Sequence, residues 1–337
     1  MVDDSMLPYR TEPPGALTDT RARRHDGDGR ANLTTTLAEL RPVPLPGHGA
    51  TAARLDVLAE VAAEDLATAR LVEGHLDAVA ICAEAGRRPP SGPAGVWAAD
   101  PPAGRLEATA TPGGWRLHGT KQWCSGARAL DAALVTAHAD DGYRLFVMPL
   151  RTPGVTALPG TWHAVGMRDS DTLHVRFDDV PLDRDAAVGP PGWYLDRRGF
   201  WIGGVGVAAC WYGGALGSAR TLRTAVTARG DDHHGLAHLG AADALCTAMW
   251  STLHGAAHEI DDGIAGTALR TLAWRTRAAV ERLASLVLDH AERGVGAGGM
   301  TADTAMARRA ADLPVYLRQH HAERDLEALG RVVVAEP

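Results

Sequence analysis

The feature that most restricts the fold is a change of hydrophobic period. Between Val96 and Leu182 apolar residues recur at every second position; on either side they recur three to five positions apart. Alternation by two belongs to strands, whose side chains point to opposite faces in turn, and the wider spacing belongs to helices. Leu106, Ala108 and Ala110 alternate with polar neighbours. So do Trp115, Leu117 and Gly119, then Tyr143, Leu145 and Val147, then Leu173, Val175 and Phe177. Leu134-Val135 reads as a short apolar strand. Pro112-Gly113-Gly114, Asp141-Gly142 and Pro153-Gly154 supply turns between them. Five or six short strands so connected predict a compact barrel or sandwich.

The flanks are helical. Leu55, Leu58 and Val61, followed by Leu66, Leu71, Leu76, Val79 and Ile81, predict two helices or one broken helix, capped at Thr51 and ending before Gly86. A linker follows, Arg87-Arg88-Pro89-Pro90-Ser91-Gly92-Pro93. From Pro190 onward, helices near 201–229, 237–261, 267–293 and 302–331 predict an up-and-down bundle of four. In the third, Leu272, Ala279, Val280, Leu283, Leu286 and Val287 share a face, and Arg277 and Glu281 pair on another. Gly294 to Gly299 reads as a flexible break, and Pro314 as a helix start or kink. Residues 1–48, rich in Pro, Gly, Arg and Asp, read as an irregular lead-in that Met6, Leu7 and Tyr9 could pin. The expected organisation is α+β: lead-in 1–48, N-terminal helical unit 49–90, β-domain 91–187 and C-terminal helical bundle 188–337.

Bulk chemistry excludes several functions. A net charge of -7 offers no basic field for nucleic acid. No run reaches the ~18 uninterrupted apolar residues of a spanning helix, and the N-terminus lacks a basic-then-apolar leader. A cytoplasmic protein without a membrane partner is the expectation. Cys82, Cys124, Cys210 and Cys246 are scattered, with no Cys-x-x-Cys pair to suggest a disulfide frame or zinc knuckle. His254 and His258 stand at helical spacing, followed by Glu259, Asp261 and Asp262, but no third metal ligand follows at a typical interval. No metal site is expected. Gly204-Val205-Gly206-Val207-Ala208-Ala209 lacks the strand-helix-strand context of a dinucleotide fingerprint and reads as small residues that let helices approach. Lys121 is the chain's single lysine among 34 basic residues.

That lysine lies in Gly114-Trp115-Arg116-Leu117-His118-Gly119-Thr120-Lys121-Gln122-Trp123-Cys124-Ser125-Gly126-Ala127. The run resembles a motif of the acyl-CoA dehydrogenase middle domain, Gly-x-x-Leu-x-Gly-x-Lys-x-Trp-Ile-Thr/Ser-x-Ala. Gly166-Met167-Arg168-Asp169-Ser170-Asp171-Thr172 and Phe177-Asp178-Asp179-Val180-Pro181 resemble the strand-turn-strand that closes the same domain. The resemblance, strongest over about 104–185, implies helices, a small β-domain and a four-helix bundle, in that order. It implies a flavin, FAD in the family, and a homodimer or homotetramer formed through the bundle. Trp123 would lie against the flavin ring and Ser125 would bond its edge. The family's Thr-Glu-Pro flavin loop corresponds to Ala99-Asp100-Pro101, which brings in Asp100 as a further cofactor-binding candidate. Cys124, on the opposite face of the strand from Trp123 and Ser125, is expected to be a buried structural thiol.

Other parts depart from the family. Its Arg, Phe-Gly and Gln, which hold the adenine half of FAD, correspond to Arg229-Gly230-Asp231-Asp232-His233-His234-Gly235, which has no Phe-Gly and no Gln. FMN or reduced flavin is therefore the alternative cofactor. The family's catalytic Glu follows an Arg-Asp-Ala turn by nine residues. With Arg318-Gln319-His320 as that turn, the base falls on Glu327, followed by Ala328-Leu329 in place of Gly-Thr; Glu323 is the fallback. The family's other location for the base, near Asp196-Arg197-Arg198, has no Glu. His320-His321 reads as a polar helix face, or as a proton-handling pair in an oxygenase. The leading expectation is α,β-dehydrogenation of an acyl thioester, such as a CoA thioester, or of a related small molecule by a flavin oxidoreductase. The alternatives are a two-component monooxygenase supplied with reduced flavin by a partner reductase, and a non-catalytic relative.

Overall fold

A computed structural model describes residues 29–101 and 105–335. Met6, Leu7 and Tyr9 lie outside them. The order of elements is helices, sheet, helices. α1 (Gly29–Glu39), α2 (Thr51–Glu64) and α3 (Leu66–Glu84) precede the sheet. α1 corrects the reading of its stretch as irregular. Its sequence has almost no apolar face, and its hold is tertiary: Leu33 is fully buried, and Arg30 reaches Ala129 O and the Asp131 carboxylate, both at 2.9 Å. Asp65 ends α2 and caps α3, accepting from Thr68 N at 2.6 Å.

The middle domain is one eight-stranded sheet. Its strands are β1 (Ala94–Trp97), β2 (Leu106–Thr111), β3 (Gly114–Cys124), β4 (Ala132–Ala139), β5 (Gly142–Pro149), β6 (Val155–Leu158), β7 (Leu173–Asp183) and β8 (Ala187–Val188). The path runs β6-β7-β3-β2-β4-β5-β8, with β1 parallel to β4 off the path. The sequence reading found fewer strands because β1, β6 and β8 hold only four, four and two residues, too short for alternation to register.

The C-terminal region begins with the single turn α4 (Trp193–Asp196) and continues in α5 (Arg198–Arg229), α6 (His233–Asp261), α7 (Gly266–Ala302), α8 (Thr304–Leu317) and α9 (Glu323–Ala335). The helix expected over 302–331 is thus two helices, separated by a turn in which Ala322 takes a positive φ of 43°. The expected break at Gly294 to Gly299 narrows to Gly296, at φ 68° and ψ -179° inside α7. Pro314 lies within α8, ten residues after its start.

α5 organises the helical packing. A Cβ on Gly213 would lie 2.1 Å from Ala59 O, and one on Gly217 2.5 Å from Ala63 O, so glycine is what lets α5 cross α2 so closely. By length and composition α5 is the one described helix able to cross a membrane, yet 72% of its most apolar stretch is buried inside the fold. The sheet is clamped to the helices at two points. Gly166 lies so near α8 that a Cβ there would be 1.9 Å from Ala311 O, and Asp312 of α8 accepts from Met167 N. On the other side, a Cβ on Gly126 would meet Leu71 of α3 at 3.1 Å.

Candidate functional site

Between those clamps lies the end of β3. After an earlier register shift between Leu117 and Gly119, pairing with β7 runs from Gly119–Phe177 to Lys121–Val175 and resumes at Cys124–Leu173, so β3 spends one more residue than its partner there. This is a β-bulge, and Trp123 occupies it with φ 55°. The bulge turns the indole outward, 51% exposed, while Cys124 points inward and is fully buried. Burial pushes the Cys124 thiol well above its ordinary range, so it is an inert core residue, as its place on the strand implied.

Ser125 follows at the rim, 9% exposed. Its carbonyl accepts from the buried indole of Trp97 at 2.9 Å. Its hydroxyl ends a line of three. Ser170 Oγ donates to Met167 O at 2.6 Å, Thr172 Oγ1 and Ser170 Oγ are hydrogen-bonded at 2.8 Å, and Thr172 Oγ1 and Ser125 Oγ at 3.0 Å. A hydroxyl carries one proton. Three hydrogen bonds that end on a carbonyl take up the protons of all three hydroxyls, so the line fixes the orientation of the Ser125 hydroxyl. Asp171, at φ 46°, braces this loop by accepting from Arg128 N at 2.8 Å and from its guanidinium. Ser170 and Thr172 lay within the motif quoted above, but their alignment on Ser125 depends on pairing across the sheet.

Lys121 is 2% exposed and ties β3 to β4, donating to Thr136 O and Thr136 Oγ1, both at 2.8 Å. Tyr143 Oη donates to the same Oγ1 at 2.6 Å. Burial pushes the Lys121 ammonium down to about 8, partly opposed by Asp100. The sole lysine is a buried strut. Asp100 is itself engaged, its carboxylate 2.9 Å from His138 Nε2.

Glu327 is on α9, 53% exposed, and ion-paired with Arg331 of the same helix. Glu323 is exposed at the start of that helix. In the adjoining turn His320, expected on a polar face, is 5% exposed, and its Nε2 has no hydrogen-bond partner among the described residues. Its ring lies edge-on to Trp211 at 6.4 Å, and burial together with Arg277 lowers its pKa, so it is neutral at pH 7. Arg277 does not pair with Glu281, as its spacing suggested. It stacks on Trp211 at 4.7 Å and donates to Gly204 O and Gln319 O, both at 2.8 Å, while Glu281 pairs with Arg318.

A second polar group lies deeper. Arg70, Glu73 and Asp77 share one face of α3, at i, i+3 and i+7. Arg70 and Glu73 form a buried ion pair, and Glu73 is 6% exposed. Arg197 pairs with Glu84 at 2.9 Å and lies 3.8 Å from Asp77. This stripe runs through a helix otherwise sealed in the core. The sequence reading passed over it by counting only the leucines. Gly74 places the stripe beside the sheet: a Cβ there would be 3.5 Å from Arg70 Nη1 and 3.9 Å from Gly95 Cα, and one on Gly95 would be 3.9 Å from Ser125 O. The Trp123–Ser125 edge and the charged stripe are thus neighbours across β1.

His254, of the histidine pair at helical spacing, hydrogen-bonds Asp56 at 2.8 Å and stacks on Trp250, and no cluster of three metal-ligating side chains occurs among the described residues. Arg229 pairs with Asp232 at 2.9 Å and donates to Gly294 O.

Residues 99–180 match the family model of the acyl-CoA dehydrogenase middle domain. The human mitochondrial short-chain specific acyl-CoA dehydrogenase is 34% identical over 128 residues, which are 35% of this chain. The match spans 30% of that relative's length, about a third of the curated relatives overall. Two solved structures share the whole architecture. Butyryl-CoA dehydrogenase from Megasphaera elsdenii superposes with a TM-score of 0.72 at 18% identity, covering 83% of this chain and 81% of its own. The FMN-bound dibenzothiophene monooxygenase TdsC from Paenibacillus sp. A11-2 superposes with a TM-score of 0.74 at 19% identity, covering 86% and 84%. The fold is that of the acyl-CoA dehydrogenase-like flavoproteins. The sheet domain matches that family's middle-domain model over residues 99–180, and the helical units around it complete the same fold.

Proposed function

We propose that this chain is a flavin-dependent oxidoreductase whose flavin lies against the Trp123–Ser125 edge of the sheet. The observation that carries the reading is the bulge at Trp123. It holds a large aromatic side chain half exposed and sets beside it a hydroxyl oriented by Thr172. An apolar wall next to a fixed hydroxyl fits a flat heteroaromatic ring whose edge carries polar atoms. Trp123 would cover one ring face and exclude water from it. Ser125 would hydrogen-bond the ring edge, its orientation fixed by Thr172 and Ser170. Asp100, already held by His138, would act at the periphery.

FMN fits better than FAD. Arg229, at the position that corresponds to the family's adenine-binding Arg, is spent on Asp232 and Gly294 O. Glu327, half exposed and paired with Arg331, lacks the buried, unpaired setting in which a carboxylate would abstract a proton α to a thioester. Those two observations favour the two-component oxygenase reading, in which a reductase delivers reduced flavin. Reduced flavin, when bound, supplies the two electrons that let O2 give one atom to the substrate and the other to water. His320, neutral and buried with Nε2 unpartnered among the described residues, would hold or pass a proton in that reading.

The test has two stages. Purified protein is titrated with FMN and FAD; failure to take up either removes the flavin reading. Protein with reduced FMN is then assayed for oxygen consumption that depends on added substrate. Anaerobic bleaching of bound oxidised flavin by an acyl-CoA would instead establish the dehydrogenase.

A further inference from the structure

Asp312 of α8 meets the sheet domain at the turn that precedes β7. Its Oδ1 accepts from Met167 N, and the carbonyl of the same peptide, Gly166 O, accepts from Trp162 Nε1 at 3.0 Å. That peptide is therefore held at both ends. Met167 itself is 4% exposed and takes a φ of 56°, left-handed backbone that a methionine keeps only where its surroundings impose it.

The next peptide starts the hydroxyl line. Met167 O accepts from Ser170 Oγ at 2.6 Å and from Ser170 N at 3.2 Å. From Ser170 the line passes through Thr172 to Ser125. A carbonyl can only accept, so Met167 O sets the direction in which the hydroxyl protons point. One residue in a constrained conformation thus joins a carboxylate on α8 to the hydroxyl beside Trp123.

The Asp312 carboxylate has no ion-pair partner among the described residues. Asp65, at the α2–α3 junction, and Asp169, in the turn, act on it with like charge; Arg308, on its own helix, reaches Asp169 at 3.3 Å. Burial first, and then those two acids, push the Asp312 carboxyl up to about 6, against the opposing pull of Met167 N–H and Arg308. The group is charged above that pH and neutral below it. A carboxylate accepts from an N–H more strongly than the neutral acid does.

We propose that Asp312 is a positioning residue for the flavin edge: acting through the Met167 peptide and the hydroxyls of Ser170 and Thr172, its carboxylate fixes the Ser125 hydroxyl, and protonating it loosens flavin binding. This deepens the flavin reading by naming a pH control on that same site, and it rests on that reading for its purpose.

FMN affinity is measured by equilibrium dialysis. At pH 7.5 Asp312→Ala should weaken FMN at least threefold. In a Ser125→Ala background the same change should cost less than twofold, because the hydroxyl it orients is gone. A smaller loss in the first case, or a loss of twofold or more in the second, overturns the proposal. Asp312→Asn keeps an acceptor oxygen without the charge, and serves should Asp312→Ala fail to fold. The parent should bind FMN more tightly than Asp312→Asn at pH 7.5, and that ratio should fall at least twofold by pH 5; a smaller fall overturns the proposal. Taking the ratio at each pH cancels the phosphate of FMN, whose second proton also leaves near about pH 6. NMR of the 15N-labelled, flavin-free chain separates the two ideas. The amides of Met167, Thr172 and Ser125 should titrate with one midpoint in the parent and not in Asp312→Asn. If they do and no FMN is taken up, the flavin reading falls and the tie from Asp312 to Ser125 stands. If FMN binds but Ser125 does not titrate with Met167, this proposal falls alone.

Discussion

Replacing Trp123 gives the sharpest prediction, because the folded chain and the flavin respond to it differently. An indole side chain presents roughly 200 Å² for burial, and Trp123 is 51% exposed, so about 100 Å² remains for a ligand to cover. At ~25 cal/mol per Å² that area is worth about 2.5 kcal/mol, or a factor of roughly 60 in affinity. Ordering the ring lowers the figure, so Trp123→Ala should weaken FMN between about 10- and 60-fold. Stability should respond otherwise. The residue's φ of 55° is one that Ala tolerates no better than Trp, whereas Gly adopts it freely. Trp123→Gly should therefore be more stable than Trp123→Ala by about 1 kcal/mol, with the same loss of FMN affinity. Equilibrium dialysis gives the affinities and urea denaturation the stabilities. If both variants bind FMN within threefold of the parent, the indole does not form the wall. If Gly is no more stable than Ala, the bulge does not constrain the position as described.

Three further substitutions test neighbouring parts of the account. Ser125→Ala removes the hydroxyl and should weaken FMN by about 3- to 10-fold, the worth of one net hydrogen bond; unchanged affinity would exclude the hydroxyl from the site. Lys121, lowered to about 8 from 10.5, is protonated in the folded state less readily than in the unfolded one. Its desolvation penalty is complete below pH 8 and vanishes above about pH 10.5, so the parent should gain up to about 3 kcal/mol across that window relative to Lys121→Met. Urea midpoints that run parallel for the two proteins from pH 7.5 to 10.5 would contradict the burial argument. Glu327→Gln breaks an exposed pair and should shift stability by less than about 0.5 kcal/mol and FMN affinity by less than twofold; loss of turnover on an acyl-CoA would instead restore Glu327 as a base.

The sequence carried the architecture because period and punctuation are local. The alternation in β2, β3, β5 and β7, and the leucine stripes of α2 and α3, each follow from a single segment. Elements that depend on partners were not legible. α1 is held by Arg30 reaching Asp131, a hundred residues on, and the helix pair α8–α9 is separated by a turn without the usual Gly or Pro signal. The site divides in the same way. Trp123 and Ser125 could be marked from their motif, but the bulge that turns Trp123 outward exists only in the register of β3 against β7. The Arg70, Glu73, Asp77 stripe was visible at helical spacing, yet only the packing of α3 against α2, α5 and β1 makes those charges interior. His320 looked exposed because its neighbours are charged; contact with Trp211 from α5 buries it.

The claim beneath the rest is that the sheet edge at Trp123 and Ser125 holds a flavin. Equilibrium dialysis of the purified chain against FMN tests it most directly. Saturation near one FMN per chain at micromolar concentration, with loss of binding in Trp123→Gly at unimpaired stability, is the expected result. No uptake of FMN or FAD at about 100 µM by folded protein would contradict the claim.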